Sequence, residues 1–197
     1  MGRSKTLIEI RGCPAVRRVA RAALDAGCAG CVVVVRAEEG DRVEALISDL
    51  PAVRVLVNRK SEAGRTGSLQ CGLGSLPEGA AGAIIHPIDH PLVSRDTIRA
   101  LLEEHDRCFK ECPSPPPLES IPLVFEPAHE CARGHPLLFG RDAFPALMAL
   151  KSAEPLRSVV RRLRASGRAR EVEVDDRWIL ANLDTRADLR RWGLDRE

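Results

Sequence analysis

Asp89 is the residue whose surroundings point most directly to chemistry. It follows the apolar run AGAIIHPI (81–88), stands between His86 and His90, and is followed by Pro91 and a helical pattern. In open α/β sheets, ligands bind beyond the carboxyl ends of the strands. A carboxylate at such a point suits a hard divalent cation that also contacts phosphate oxygens. The alternative interpretation is that Asp89 only caps the turn before the helix.

Two further groups have types and spacing that suit the same chemistry. The glycine-rich stretch NRKSEAGRTGSLQCGL (58–73) brings Gly64, Gly67 and Ser68 to a predicted helix start. Small residues with free N–H groups at that point favour a phosphate, although a flexible crossover would have a similar composition. Asp184 lies at a predicted strand-to-helix corner. Two acids at strand ends are able to hold one Mg²⁺ between them.

The elements that must position these residues alternate in the first half of the chain. CVVVVR (31–36), AVRVLVN (52–58) and AGAIIHPI (81–88) are short, continuous apolar runs, typical of strands covered on both faces. Helical spacing lies between them, as in PAVRRVARAALDAG (14–27). The alternation predicts an α/β fold with a mostly parallel sheet, in which these three strands are adjacent or nearly so.

The second half of the chain is less regular. The proline-rich stretch CFKECPSPPPLESIP (108–122) predicts a loop. LVFEP (123–127) and AREVEVDD (169–176) predict strands, and RDAFPALMAL (141–150) and PLRSVVRRLRASG (155–167) predict helices. DTRADLRRWGL (184–194) predicts a closing helix capped by Asp184 or Thr185. We find no repeat or linker, so the sequence predicts one domain over residues 1–197.

Composition argues against several classes of protein. The 197 residues carry 30 Lys+Arg against 28 Asp+Glu and only 3% aromatics, which disfavours a nucleic-acid partner. No apolar stretch has the length of a membrane span, and the N-terminus lacks a signal-peptide core, so we expect a cytoplasmic protein with no membrane partner. Cys28 and Cys31 form a C-x-x-C that runs into an apolar strand, which favours packed free thiols over a zinc or redox site.

Five stretches, in order along nearly the whole chain, resemble the MobA-like nucleotidyltransferases, particularly their molybdenum cofactor cytidylyltransferase branch. MGRSKTLIEIRGCPAVRRVARAALDAG (1–27) is similar to the end of the signature L-A-A-G-x-S-x-R-M-G-x-x-K with its following helix. VNRKSEAGRTGSLQCGL (57–73) is similar to N-x(5)-G-x-x-x-S-L-x-x-G. HPIDHPLVSRDTIRALL (86–102) resembles the (G/P)-x-D-x-P motif, RGHPLLF (133–139) the G-H-P segment, and NLDTRADL (182–189) the D-I-D-T-P-E-D-L stretch.

The resemblance implies a fold, a reaction and a role for each matched residue. The fold would be a three-layer αβα, Rossmann-like, nucleotide-diphospho-sugar-transferase-like domain. The reaction would be Mg²⁺-dependent transfer of a nucleoside monophosphate, CMP from CTP being favoured, to a phosphorylated acceptor such as molybdopterin, with release of pyrophosphate. The implied roles are catalysis by Lys5 and Asp89, nucleotide binding by Lys5, Gly64, Gly67 and Ser68, acceptor binding by Gly134, His135 and Pro136, and metal binding by Asp89 and Asp184.

The chain also departs from the family pattern. It begins inside the signature, so the family's first strand and its L-A-A-G-x-S turn have no counterpart in it. Two explanations stay open: a true start further upstream, or a shortened, non-catalytic nucleotide-binding or interaction module on the same fold. His86 and His90 replace residues of the usual G-D-Q-P, and Asn182 stands where relatives often carry an acid. The sequence does not decide the nucleotide, the acceptor, the roles of these histidines, or whether the protein is a monomer or a homodimer.

Overall fold

The computed structural model describes residues 8–59, 64–110, 121–152 and 154–194. The prediction for Lys5 and most of the loop predicted at 108–122 lie outside these ranges. The described elements are, in chain order, β1 (Glu9–Ile10), β2 (Cys13–Pro14), α1 (Ala15–Ala26), β3 (Cys31–Val35), α2 (Gly40–Ile47), β4 (Val53–Val57), α3 (Gly64–Gly74), β5 (Gly82–Ile85), α4 (Arg95–Lys110), β6 (Val124–His129), β7 (Ala132–Arg133), β8 (Leu137–Gly140), α5 (Phe144–Met148), α6 (Leu156–Ala165), β9 (Ala169–Glu173) and α7 (Arg186–Arg191).

The strands form two main ladders. β3 and β4 pair in parallel from Cys31 opposite Val53 to Val35 opposite Val57, as predicted. β5 pairs with β8, β8 with β6, and β6 with β7 and β9. Because β8 is antiparallel to both β5 and β6, while β9 is parallel to β6, strands β5, β6 and β9 run in one direction. In the described ranges no ladder joins β5 to β3 or β4, so the three strands predicted to be neighbours, β3, β4 and β5, are divided between two ladders. The whole arrangement is mixed and mostly parallel.

Helices cover both faces of the strands, which makes the architecture three-layered. Alternate residues of β6 point in opposite directions: Val124 packs with the α3, α5 and α6 side, while Phe125 packs with Leu101 of α4. On the face covered by α3, α5 and α6, the core includes Leu73, Leu147 and Val159. This period of two is what a strand buried on both faces requires. The predicted αβα fold is confirmed.

β5 ends earlier than the sequence pattern predicted. The apolar run continues to Ile88, but the strand stops at Ile85 and the next residues form a turn in which the His90 N–H donates to the Pro87 carbonyl over 3.1 Å. Pro87 has no N–H and therefore cannot continue a ladder. The early end lets residues 86–94 form a loop beyond the strand, and Asp89 lies in that loop.

The cysteines that the structure describes are free thiols; Cys131 is exposed and the others are half-buried. Burial raises the pKa of the Cys28 thiol, and it raises the pKa of Cys31 to about 11. A thiol of that kind stays protonated at neutral pH and is a poor nucleophile or metal ligand. None of the helices in the described ranges is long and apolar enough to span a membrane.

Candidate active site

Asp89 is a buried carboxylate with few partners. It is 6% exposed, and its Oδ1 accepts no hydrogen bond from a described residue. Among the described residues, two basic side chains approach it: Arg65 Nη2 lies 3.8 Å from Oδ2 and His90 Nε2 lies 3.9 Å from Oδ1, both beyond hydrogen-bond distance. The turn into α4 is capped by Ser94, whose Oγ accepts from Thr97 N over 3.1 Å. The interpretation of Asp89 as a helix cap is therefore not supported.

Three histidines surround this acid. His86 Nε2 donates to the His90 carbonyl over 2.9 Å, and the His90 and His135 rings lie 4.9 Å apart at an angle of 56°. The Nδ1 atoms of all three are buried and have no hydrogen-bond partner among the described residues. Burial, as the largest cause, lowers the pKa of His86 and of His135 to about 4, and it also lowers the pKa of His90. The three rings are therefore neutral at pH 7.

A segment late in the chain closes the site from the other side. Leu183 N donates to the Asp89 carbonyl over 2.8 Å, and His135 N donates to the Ile179 carbonyl over 3.0 Å. The backbone of Trp178 and Ile179 in this segment acts on the His90 ring to raise its pKa, although burial, the larger cause, lowers it. Asp184 follows Leu183 directly, so its backbone lies at the same edge of the fold as Asp89. The predicted distance of about 4–7 Å between the two carboxylates, based on metal–oxygen distances near 2.1 Å, stays a prediction.

Asp184 begins the corner that leads into α7. Its N–H donates to Asp188 Oδ2 over 3.1 Å. Thr185 is the N-cap: its Oγ1 accepts from Asp188 N, and Asp188 Oδ2 in turn accepts from Thr185 N. This reciprocal capping box fixes the direction of the chain at the corner. The sequence prediction of a cap at Asp184 or Thr185 is confirmed at Thr185.

The GHP segment, Gly134 to Pro136, packs against residues 177–180. A Cβ on Gly134 would lie 2.3 Å from the Ile179 carbonyl oxygen, so only glycine fits this close approach. The His135–Pro136 bond is cis, and Pro136 is buried. His135 reaches the cluster around Asp89, whereas the contact of Gly134 is with the protein backbone. Acceptor binding by this segment stays a prediction.

The start of α3 forms the opposite wall of the site. Gly64 has φ +60°, a conformation that favours glycine, and Arg65 follows it and contacts Asp89. Ser68 Oγ accepts from Asn58 Nδ2 over 3.2 Å and donates to the Gly64 carbonyl over 3.4 Å. The predicted nucleotide residues Gly64, Gly67 and Ser68 thus lie on the helix that carries Arg65 to the acid.

Two side chains further along α3 hold the helix in place. Thr66 Oγ1 donates to the Glu154 carbonyl over 2.9 Å, and Gln70 Nε2 donates to the Met148 and Leu150 carbonyls over 2.9 and 2.8 Å. Arg65 was missed at the sequence level. The available signal was a cation directly after Gly64 in a stretch already assigned to phosphate binding.

The residues around Asp89 fit a divalent cation of the Mg²⁺ or Mn²⁺ kind. The unpartnered Oδ1 is an anionic oxygen with a free coordination position. In the described ranges no group of three His, Cys, Asp or Glu side chains could hold a metal ion. The protein would therefore supply one or two carboxylates, with phosphate oxygens and water completing the shell, which is usual for Mg²⁺.

Comparison with known proteins places this geometry in a family. Residues 1–168 match the family model of the MobA-like NTP transferase domain. Comparison with curated proteins gives no match.

Solved structures share the fold at low sequence identity. Rv0371c of Mycobacterium tuberculosis in complex with manganese is 23% identical, with 99% of this chain and 94% of that chain covered and a TM-score of 0.71. 4-Diphosphocytidyl-2C-methyl-D-erythritol synthase of Anaerococcus prevotii is 10% identical, with 96% of this chain and 91% of that chain covered and a TM-score of 0.72. The molybdopterin-guanine dinucleotide biosynthesis protein A of Archaeoglobus fulgidus is 18% identical, with 96% of this chain and 89% of that chain covered and a TM-score of 0.63. With a family match over most of its length, the chain belongs to the MobA-like NTP transferases and is a nucleotidyltransferase.

Proposed function

We propose that this protein transfers CMP from CTP to a phosphorylated small-molecule acceptor such as molybdopterin, with Mg²⁺ bound at Asp89 and Asp184 and release of pyrophosphate. The observation that carries the proposal is the buried Asp89 carboxylate with an unpartnered Oδ1, facing the glycine-rich start of α3. Members of the same fold include a manganese complex, a diphosphocytidyl synthase and a molybdopterin-dinucleotide protein, which supports a metal, a cytidine donor and this acceptor class.

In the proposed reaction an acceptor phosphate oxygen attacks the α-phosphorus of CTP. A new P–O bond forms there as the bond to the bridging oxygen breaks, and pyrophosphate leaves with the electron pair. A bound Mg²⁺ would neutralise phosphate charge. The chain itself orients the reactants. The N–H groups at the start of α3 donate hydrogen bonds to phosphate oxygens, and Ser68 contacts the nucleotide. Lys5, carried over from the family signature, stabilises the leaving pyrophosphate.

The acceptor is expected on the His135 side of Asp89. His135 is neutral there because burial lowers its pKa to about 4. A neutral imidazole can donate a hydrogen bond to an acceptor oxygen without adding a positive charge that would compete with the metal. We propose a cytoplasmic enzyme, monomeric or dimeric, that encounters the CTP and Mg²⁺ of that compartment.

The test is pyrophosphate release from CTP, GTP or ATP with Mg²⁺ and molybdopterin. We expect release with CTP, and we expect Asp89→Asn to lower the rate by at least about 10²-fold, because one preorganised electrostatic element typically contributes that much. Asp41→Asn, on the exposed face of α2, is the matched control and should retain full activity.

Asp89→Asn should not unfold the protein. It replaces a carboxylate whose Oδ1 has no hydrogen-bond partner among the described residues with a neutral group of similar size, so we expect the free energy of unfolding to change by less than about 1 kcal/mol. Urea denaturation measures this change. Equal turnover by Asp89→Asn would refute the metal role of the acid. CTP binding without any pyrophosphate release would favour the non-catalytic nucleotide-binding module.

A further inference from the structure

Asp176 is a second buried carboxylate, and the proposed reaction does not use it. It is 6% exposed, and both of its side-chain oxygens accept hydrogen bonds. Oδ2 accepts from Ser94 N over 2.8 Å and from Thr97 Oγ1 over 2.7 Å, and Oδ1 accepts from Trp178 N over 3.0 Å. A buried carboxylate with three short hydrogen bonds holds its donors in one arrangement.

The donors belong to two segments that meet at the candidate active site. Ser94 ends the loop that carries Asp89 and caps α4. Trp178 lies in the 3₁₀ turn that leads towards Asp184. Asp176 therefore joins the loop of one proposed metal ligand to the segment of the other, across 82 positions of the chain.

A second contact joins the same two segments further along. Leu183 N donates to the Asp89 carbonyl over 2.8 Å. The segment is also anchored by Ile179, Ala181 and Leu183, which are 5% exposed or less. Apolar contacts are not directional, so they hold the segment on the fold without setting its position closely. The hydrogen bonds of Asp176 are directional, and they fix where the segment lies.

The turn that begins at Asp176 also supports the histidine side of the site. Asp176 is the N-cap of this turn, and its carbonyl accepts from Ile179 N over 3.3 Å. The Ile179 carbonyl in turn accepts from His135 N over 3.0 Å. A shift of the turn would therefore move His135 and the backbone that leads to Asp184 together.

We infer that Asp176 is a positioning residue, which sets the separation of Asp89 and Asp184 through its hydrogen bonds and is not itself a metal ligand. The inference rests on the proposed function for the identity of the two metal ligands. The contacts that carry it rest on the fold alone. The alternative is a purely structural role, in which removal of Asp176 lowers stability without a specific effect on metal binding.

Metal affinity provides the first test. Asp176→Asn keeps the size of the side chain but replaces an acceptor oxygen with a group that only donates, so at least one donor loses its acceptor. Electron paramagnetic resonance of free Mn²⁺ should show about tenfold weaker binding, because loss of a group that orients a metal ligand typically costs about 10–100-fold. Asp175→Asn is the matched control, since it makes the same change at the exposed neighbouring position and should keep the affinity. Equal losses in the two variants would overturn the inference.

A double-mutant cycle separates positioning from a general loss of stability. If Asp176 acts by placing Asp184, then in the Asp184→Asn background Asp176→Asn should change the Mn²⁺ affinity by less than about twofold. A second tenfold loss in that background would overturn the inference.

A milder variant keeps the test valid if Asp176→Asn does not fold. Thr97→Val removes one of the three hydrogen bonds and retains the charge of Asp176. It should weaken Mn²⁺ binding about threefold, as expected for the loss of part of the support of a metal ligand. Unchanged affinity in folded Thr97→Val, with folding checked by circular dichroism, would contradict the inference.

Amide hydrogen exchange measures the contact between the segments without metal or nucleotide. Asp176→Asn should raise the exchange rate of the Leu183 amide by at least about fivefold, because this bond to Asp89 opens more often when the segment is less firmly held. The Cys31 amide, which donates to the Ala52 carbonyl elsewhere in the fold, should exchange as before. Unchanged exchange at Leu183 would overturn the inference.

The two proposals fail in different ways. If the unaltered protein binds Mn²⁺ and Asp176→Asn binds it equally well, the positioning role is wrong and the metal site stands. If exchange at Leu183 rises in Asp176→Asn but the unaltered protein binds no Mn²⁺, the proposed metal site is wrong. Asp176 then joins the two segments for stability alone, and the inference falls with the site.

Discussion

The contact between Arg65 and Asp89 shows how the site balances its charge before a ligand binds. The Arg65 side chain is 89% exposed and its Nη2 lies 3.8 Å from Asp89 Oδ2, so it is held by attraction rather than by packing. A divalent cation at Asp89 would repel this guanidinium. Arg65 would then be free to move to the phosphates of the nucleotide at the start of the same helix.

Arg65→Gln should therefore change two affinities in opposite directions. We expect Mn²⁺ to bind about fivefold more tightly in the absence of nucleotide, because two unit charges about 4 Å apart interact by about 1 kcal/mol in water. With metal present, CTP should bind more weakly. Electron paramagnetic resonance of free Mn²⁺ measures the first affinity and calorimetry the second. Arg95→Gln, an exposed change at the start of α4, is the control, and a fall in both affinities would contradict the exchange.

At the scale of single residues, the sequence predicted candidate site residues but not the contacts between them. Asp89, Ser68 and His135 were predicted from strand ends, a glycine-rich helix start and a family motif. The contact of Arg65 with Asp89 and the packing of His90 on His135 were not predicted. Spacing along a chain encodes neighbours on one helix or strand, whereas contacts between separate loops depend on the assembled fold.

Among the described glycines, Gly134 leaves the least room for a side chain, because the GHP segment lies directly against the 3₁₀ turn at Arg177–Leu180. Gly134→Ala would place a Cβ 2.3 Å from the Ile179 oxygen and 2.6 Å from its carbonyl carbon. Both are backbone atoms, which cannot rotate away, so we expect a loss of about 3 kcal/mol or more in the free energy of unfolding.

Gly79→Ala is the matched control, because a Cβ there meets nothing within 4 Å. It should change stability by less than about 0.5 kcal/mol. Urea denaturation of the three proteins at pH 7.5 measures both changes. Similar stabilities of Gly134→Ala and Gly79→Ala would show that the segment moves to accept a side chain. In that case the close approach would not explain the glycine.

The sequence predicted best those helices and strands whose buried apolar residues recur at a regular period. α1, β3 and β4 were predicted because their apolar residues follow the helical or strand period, and Gly27 ends α1 in the left-handed conformation, with φ 107°. β8 was recognised only as part of a motif. Its four residues are all buried, and a short continuous apolar run does not distinguish a strand from other buried structure.

At the scale of the whole molecule, the partly buried histidines His86 and His135 make stability depend on pH. Burial lowers the pKa of His86 and His135 from 6.5 to about 4. Between these values the unfolded chain binds more protons than the folded protein, so the contribution to stability is complete above pH 6.5 and is lost as pH falls towards 4. One pKa unit corresponds to about 1.4 kcal/mol, so each ring accounts for up to about 3 kcal/mol.

Chemical denaturation between pH 7.5 and 4.5 should show this decline. His86→Gln removes one titrating ring, so its unfolding free energy should fall less steeply with decreasing pH than that of the unaltered protein. Above pH 7 the two curves should run parallel, which is the internal control because neither ring titrates there. Identical slopes below pH 6.5 would mean that His86 does not titrate on unfolding.

The hydrogen bond from Leu183 to Asp89 also has a consequence for the order of folding. It joins residues about 90 positions apart, and contacts between distant parts of a chain form late because a long loop must close first. During synthesis, the loop that carries Asp89 leaves the ribosome well before the segment that closes it. A nascent chain therefore carries Asp89 before residues 177–184 have been made, so the metal site proposed here could be complete only after that segment has joined the fold.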